Sequence, residues 1–302
     1  MRRRFARRPR NSAIMPMLLV ILLAIAWLLA TNGIGQPTSV SQSSVIDNVV
    51  VHVLDVGQAD SILIQWPTNH AMLIDGGNRD DGRFIAKYLE QAGVQQLDCL
   101  IATHPHEDHI GGLPYIIEQI PVKAIYMPKV TANTKIYEDL LDTIKDKGLH
   151  INTAKAGVLL PLDGGISAAF LAPVGDKYED LNQYSAVLKI QHGQARFLFM
   201  GDAGLVSEQQ MLKSGQDLTA DVVKIGHHGS ADATSDEFLD AVQPRAAVIS
   251  VGRGNDYGHP NQSTLDKLAE RNIAVYRTDE DGIITFMTDG KDIEVGTSRS
   301  SK

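Results

Sequence analysis

Six consecutive residues, His104-Pro105-His106-Glu107-Asp108-His109, set four potential metal ligands at the spacing His-x-His-x-Asp-His. Neutral imidazole is the commonest protein metal ligand, and a carboxylate beside it suits zinc or manganese. A lone histidine is ordinarily a polar side chain and nothing more. Three histidines and an aspartate within six residues have no evident structural purpose. The run leaves an apolar stretch, Leu97 to Thr103, that reads as a buried strand. Gly111-Gly112 then permits a sharp turn. On a segment leaving a strand, His104 and His106 point to one side, while the turn at Asp108-His109 offers a second ligand pair to a neighbouring ion. Cys99, the only cysteine, lies in the same apolar strand. The site is therefore not thiolate-based, no disulfide forms within one chain, and the thiol reads as core.

Further candidate ligands stand at strand ends, where a backbone can present them to one edge. Asp202, in Gly201-Asp202-Ala203, ends the apolar run Phe197 to Met200, and its two oxygens can bridge two ions. His227-His228-Gly229-Ser230 follows another apolar stretch, Asp221 to Ile225. Asp75, in Leu73-Ile74-Asp75-Gly76-Gly77, lies one strand before the histidine run and can accept a hydrogen bond from a ligand imidazole. His259, before Pro260, is a candidate proton donor or phosphate contact; Asp60 and Lys224 are weaker candidates, read equally well as a turn former and a surface charge. His52 and His70 lie in or beside early strands with no partner motif and receive no role.

The elements that must position these residues alternate. Strands are expected over 49–56, 61–66, 71–74 and 97–103, with a helix over 82–91 stopped by Gly93. Helices over 113–119 and 137–147 follow. The second half repeats the rhythm, with strands over 166–172, 186–191, 196–200, 221–225, 246–251, 275–277 and 283–287. Its helices fall at 205–213, 235–242 and 263–270, the last with Ser263 and Asp266 as a cap pair. His192-Gly193-Gln194 reads as a hairpin turn. Two β-rich halves with trailing helices imply an α/β fold in which helices cover the sheets.

The N-terminus is different in kind. Residues 1–12 form a basic flank with six arginines, and 13–30 is uncharged and almost wholly apolar. Its length barely spans a bilayer and exceeds a usual signal-peptide core. The basic flank stays cytoplasmic by the positive-inside rule, so 13–30 reads as a signal anchor, with a signal peptide as the alternative. Residues 31–47 read as a linker, 48–295 as the folded domain and 296–302 as a polar tail. The net charge of −8 becomes −14 without those six arginines, which disfavours tight charge-driven binding to long DNA. Phosphate substrates remain compatible, because bound divalent ions invert the local charge.

Taken jointly, these motifs resemble the metallo-β-lactamase superfamily, and within it the hydrolase domain of the ComEC/Rec2-like competence branch. The resemblance rests on Asp55 to Ser61, Leu73 to Gly77, His104 to Gly112, Asn182-Gln183-Tyr184-Ser185, Gly201-Asp202-Ala203, Lys224 to Ser230, Asn255 to Pro260 and Tyr276 to Asp279. It covers roughly 48–290 and implies a four-layer αβ/βα sandwich with a two-metal site at one edge. By that resemblance His104 and His106 bind one ion, Asp108 and His109 the other, and Asp202 bridges. One of His227 and His228 completes the second site, with His228 favoured. Many superfamily members place another histidine between the main motif and the bridging aspartate. Here Asn182 and Ser185 occupy that region, so the first ion is expected to be held less tightly, or to be manganese rather than zinc.

The chemistry implied is hydrolysis by a hydroxide shared between two divalent ions, zinc or manganese. Asp108 serves as ligand and proton acceptor, and His259 contacts a phosphate oxygen or protonates the leaving group. Asp60, Asp75, Asn182, Ser185 and Lys224 are assigned to substrate or to the support of the ligands. The expected function is an extracytoplasmic phosphodiesterase or nuclease on a membrane anchor, secreted if the anchor is cleaved. Its substrate is a phosphodiester, either single-stranded DNA or a cell-wall polymer. A phosphocholine-type esterase, a lactonase or thioesterase, and a non-catalytic metal-binding module are the competing readings.

Overall fold

The computed structural model describes residues 48–299. The expected basic flank, anchor and linker lie outside the described residues, and no helix among those described is long and apolar enough to cross a membrane.

Alternation along the strands builds two sheets. In β1 (Val49–Val53) every second residue, Val49, Val51 and Val53, is buried between the sheets. In β2 (Ile62–Trp66) Ile62, Ile64 and Trp66 face the same way, while Leu63 packs under helices on the opposite side. β3 (His70–Ile74), β4 (Leu97–Ile101), β5 (Val122–Met127) and β6 (Ile151–Thr153) extend this first sheet, and β13 (Ile284–Thr288) and β14 (Ile293–Thr297) close its other side. Its order is β14-β13-β1-β2-β3-β4-β5-β6. The second sheet runs β12-β11-β10-β9-β8-β7, from β7 (Ile166–Phe170), β8 (Leu188–His192), β9 (Ala195–Phe199), β10 (Val222–Lys224), β11 (Ala246–Ile249) and β12 (Ala274–Arg277).

Three apolar layers result. Phe170, Leu188, Phe197 and Val248 of the second sheet meet Val51, Ile64 and Ile101 of the first. Helices Gly82–Gln91, Leu113–Gln119 and Lys135–Asp146 cover the outer face of the first sheet. Leu205–Ser214, Asp236–Val242 and Gln262–Glu270 cover that of the second. Helix, sheet, sheet, helix is the expected four-layer α/β sandwich.

Some expectations need correction. β5, β6 and β14 were not anticipated from sequence: β5 is bracketed by Pro121 and Pro128, and only its second half is buried, while β6 is three exposed residues on a sheet edge. β14 carries the fold on to Thr297, past residue 295. The helix Gln262–Glu270 is capped by Asn261, whose side chain accepts from Ser263 N at 3.0 Å. Asp266 instead accepts from Gln262 Nε2, because the helix begins at Gln262, so Ser263 is already inside its first turn.

β3, β4 and β5 are parallel, as are β9, β10 and β11. In open α/β sheets ligands bind beyond the carboxyl ends of such strands. Asp75 follows β3, the histidine run follows β4, Asp202 follows β9, and His227-His228 follows β10.

Candidate metal centre

The two glycine pairs flanking the first motif allow its close packing. A Cβ on Gly76 would lie 2.5 Å from Leu113 Cδ2, and one on Gly112 would lie 2.2 Å from the Gly76 carbonyl. With both bare, Gly76 N donates to His109 O at 2.7 Å, and the loop after β3 seats against the short helix Glu107–Ile110. Asp75, at φ 59°, turns its carboxylate inward there. His109 Nδ1 lies 2.7 Å from Asp75 Oδ2. The same carboxylate accepts from Thr103 N (2.8 Å) and Thr103 Oγ1 (2.7 Å).

His109 therefore has its Nδ1 occupied and its Nε2 free to face inward. That Nε2 is buried with no hydrogen-bond partner and lies 3.3 Å from Asp202 Oδ2 and 3.7 Å from Asp108 Oδ2. His228 repeats the arrangement. Its Nδ1 is 2.9 Å from the Ser250 carbonyl, and its Nε2 is 3.2 Å from Asp108 Oδ2 and 3.7 Å from Asp202 Oδ2. Asp108, His109, Asp202 and His228 bring one donor atom each within 4.8 Å of all the others.

His104 and His106 form the adjoining pair, with His104 Nε2 3.0 Å from His106 Nδ1 and 3.7 Å from Asp202 Oδ2. Asp202 thus faces both groups, and its Oδ1 is buried without a partner.

The pair His227-His228 sits at consecutive left-handed backbone positions, φ 48° and 51°. Such conformations cost of order 1–3 kcal/mol each and collect at functional sites. The turn sends the two rings apart. His228 enters the four-residue cluster. His227 stays at the cavity wall, its Nε2 4.0 Å from Asp202 Oδ2 and 3.5 Å from Asn182 Nδ2, its Nδ1 3.2 Å from Asp232.

The residues expected to support the ligands divide by position. Ser185 Oγ accepts from Asp202 N at 3.0 Å and lies 3.4 Å from His104 Nδ1, behind the ligand atoms. Asn182 lines the cavity itself, with a buried Oδ1 that has no partner. Lys224 and Asp60 are neither a surface charge nor a plain turn former. Both are almost wholly buried, paired at 2.5 Å. Lys224 Nζ also donates to Gly201 O, and Asp60 Oδ1 lies 3.5 Å from His228 Nδ1. The reason is topological: the loop after β1 and the end of β10 meet behind His228. His259 faces the cavity from the loop after β11, its Nδ1 3.5 Å from Gln58 Nε2. His192 lies elsewhere, its Nδ1 contacting the Gly165 carbonyl on the hairpin side.

The electrostatics ask for a cation. Burial disfavours a charged His109, but the carboxylates of Asp202, Asp108 and Asp75 together outweigh it and hold the imidazole well above its usual value. Burial alone would raise Asp202, yet His109, His228 and His104 together hold it well below the carboxylate range. Orphaned inward-facing donors, imidazole tautomers fixed from behind and surplus carboxylate charge all fit divalent-ion binding by nitrogen and oxygen ligands. Removing the support should be felt: Asp75→Ala is expected to weaken metal affinity about 10–100-fold, read by competition with a chromogenic chelator. Unchanged affinity would assign Asp75 to the turn alone.

Sequence reasoning passed over Thr103, whose hydroxyl lies within 3.4 Å of both His104 Nδ1 and His109 Nδ1 and donates to Asp75. Its place directly before His104 was the only signal. The Ser250 carbonyl is a backbone group, which no side-chain pattern can announce.

A four-layer sandwich with a histidine–aspartate cluster at the carboxyl edges of both sheets defines a metal-dependent hydrolase of the metallo-β-lactamase kind. The family model for the metallo-beta-lactamase superfamily matches residues 54–253. The chain belongs to that superfamily, in its ComEC-like branch. It is 31% identical to ComE operon protein 3 of Bacillus subtilis over 78% of this chain and 32% of that one. It is 30% identical to competence protein ComA of Neisseria gonorrhoeae over 91% of this chain and 39% of that one. The chain thus spans about a third of the length of these curated relatives. In three dimensions it is similar to Zn(2+)-bound PqqB from Methylobacterium extorquens, with TM-score 0.50 and 13% identity, over 78% of this chain and 99% of that one. That likeness concerns the fold.

Proposed function

We propose that this chain is a two-metal phosphodiesterase working outside the cytoplasm, anchored by residues 13–30, with a nucleic-acid strand as its leading substrate. The observation that carries the reading is the paired ligand set around Asp202, built from nitrogen and oxygen donors alone, at the floor of an open cavity of about 480 Å³. His104, His106 and Asp202 would hold one ion; Asp108, His109, Asp202 and His228 would hold the other. The asparagine in place of a further histidine favours manganese over zinc at the first position. Such ions, when bound, lower the pKa of water and stabilise the charge that develops at phosphorus.

The remaining work falls to side chains. Asp108, whose side chain is 30% exposed where its neighbours are buried, reaches the cavity and accepts a proton from the attacking water. His259 lines the same cavity, placed to bind a phosphate oxygen or protonate the leaving oxygen, and Gln58 steadies its ring. His227 and Asn182 offer polar contacts to the same phosphate. Resemblance to competence proteins supports a nucleic-acid strand, while the acidic balance of the chain argues against tight binding of long duplexes.

An activity panel tests the reading. Bis-aryl phosphodiester, single-stranded DNA, a phosphocholine ester and a lactone are offered with manganese and with zinc. Metal-dependent cleavage of the first two is expected. Cleavage of the phosphocholine ester or the lactone alone would move the chain to the corresponding esterase, and no hydrolysis at all would leave a metal-binding module.

A further inference from the structure

Tyr257 is 73% exposed, yet it lines the same cavity as His106, Asp108, His228 and His259. Its ring lies nearly parallel to that of His259, with centroids 5.8 Å apart and an interplanar angle of 25°. The loop that carries it is held firmly. The Asn255 side chain donates to Gly252 O (3.0 Å) and His259 O (2.6 Å), and accepts from Tyr257 N (3.1 Å) and His259 N (3.1 Å). Gln58 ties the loop from its other side, accepting from Gly252 N at 3.0 Å.

An aromatic ring held in water adds little to folding, because it removes little apolar area from solvent. Among the described residues the other exposed large apolar side chains belong to other elements of the fold, so Tyr257 does not read as the corner of an apolar docking patch. A fixed ring at the mouth of a phosphodiester site has a direct use. It offers a flat face to a planar group joined to the phosphate held beneath it.

We propose that Tyr257 is a stacking platform for an unpaired nucleobase next to the scissile phosphate, with Asn255 as the residue that positions it. The inference rests on the phosphodiesterase reading above and narrows its substrate. A base in a duplex keeps both faces against its neighbours, whereas a base in a single strand has a face to give. Stacking on an aromatic side chain tolerates every base, and its removal by alanine weakens binding about 5- to 150-fold per base. A polyol phosphate has no such face. A trimethylammonium group would use the ring differently, through its electron-rich face.

The test is fluorescence anisotropy on the full chain with two labelled strands of equal length, an oligothymidylate and an abasic strand. The wild-type chain is expected to hold the oligothymidylate at least about fivefold more tightly. Tyr257→Ala should bring the two affinities together, and Tyr257→Phe should keep them apart. Because the ring is exposed, the alanine variant should unfold at the wild-type temperature. Equal affinities in the wild-type chain, or an unchanged preference in Tyr257→Ala, would overturn the platform. Displacement of the strand by choline, lost in Tyr257→Ala, would overturn the nucleobase in favour of a cationic headgroup. Cleavage of both strands is followed separately with manganese. An intact preference without cleavage defeats the phosphodiesterase reading and keeps the platform; cleavage without preference does the reverse.

Discussion

Asp202→Asn is expected to leave a folded chain that has lost most of its metal affinity and nearly all of the phosphodiesterase activity proposed for it. Asp202 Oδ2 faces the imidazoles of both groups at once, 3.3 Å from His109 Nε2 and 3.7 Å from both His104 Nε2 and His228 Nε2. Its other oxygen is buried and unpartnered. The amide keeps the shape but removes the charge that His109 and His228 answer, and it can turn an N–H donor toward the imidazole lone pairs that an ion would use. If the wild-type chain holds the two ions proposed for it, elemental analysis should fall to fewer than one per chain in the variant. Loss of several kcal/mol of transition-state stabilisation corresponds to a rate lower by about a thousandfold on a bis-aryl phosphodiester. Asp202→Asn with full metal content would mean that Asp202 is a turn residue and that the two groups of histidines bind independently.

Lys224→Met should destabilise the chain more than any other single change near the site. Lys224 has no solvent route: its side chain is fully buried and its ammonium is shared between Asp60 Oδ2 and the Gly201 carbonyl. Methionine fills the same volume but strands the Asp60 carboxylate, whose second oxygen already lacks a hydrogen-bond partner. Breaking a buried pair in this way costs about 3–5 kcal/mol, roughly 10 °C in melting temperature for a domain of this size. Asp60→Asn combined with Lys224→Met should recover most of that loss, since no buried charge is then left alone. Denaturant unfolding of the two single variants and the double variant provides the cycle. Additive losses would show that the pair contributes through packing and not through charge.

What was legible in the chain followed the physical periodicities. Strands with one face between the sheets, such as Val49-Val51-Val53, announce themselves by alternation, and amphipathic helices such as Gly82–Gln91 by their apolar positions. β6 carries no pattern because neither of its faces is covered: Ile151, Asn152 and Thr153 are all exposed. The ligand run from His104 to His109 was legible because its residue types have no other use in that place. Which of His227 and His228 turns inward was not, because the answer lies in two consecutive left-handed backbone positions that sequence alone leaves open. Lys224 was only half legible, as a supporting residue read equally well as a surface charge, for a related reason. A lysine at the end of a strand is ordinarily exposed, and only the meeting of the loop after β1 with β10 makes a buried partner for it.

The placement of Asp202 on one sheet and of His104, His106, Asp108 and His109 on the other has a consequence for the life of the whole domain. Neither half of the sandwich holds a complete set of donors, so a cation can be gripped only after the two sheets have docked. Its binding free energy is then added to the cohesion of the sandwich, in proportion to the logarithm of its concentration over its dissociation constant. With Cys99 as the sequence's sole cysteine, no covalent cross-link is open to the chain by itself. A bound ion would serve as a reversible rivet between the layers, and the stability of the enzyme would become a reading of the metal supply around it.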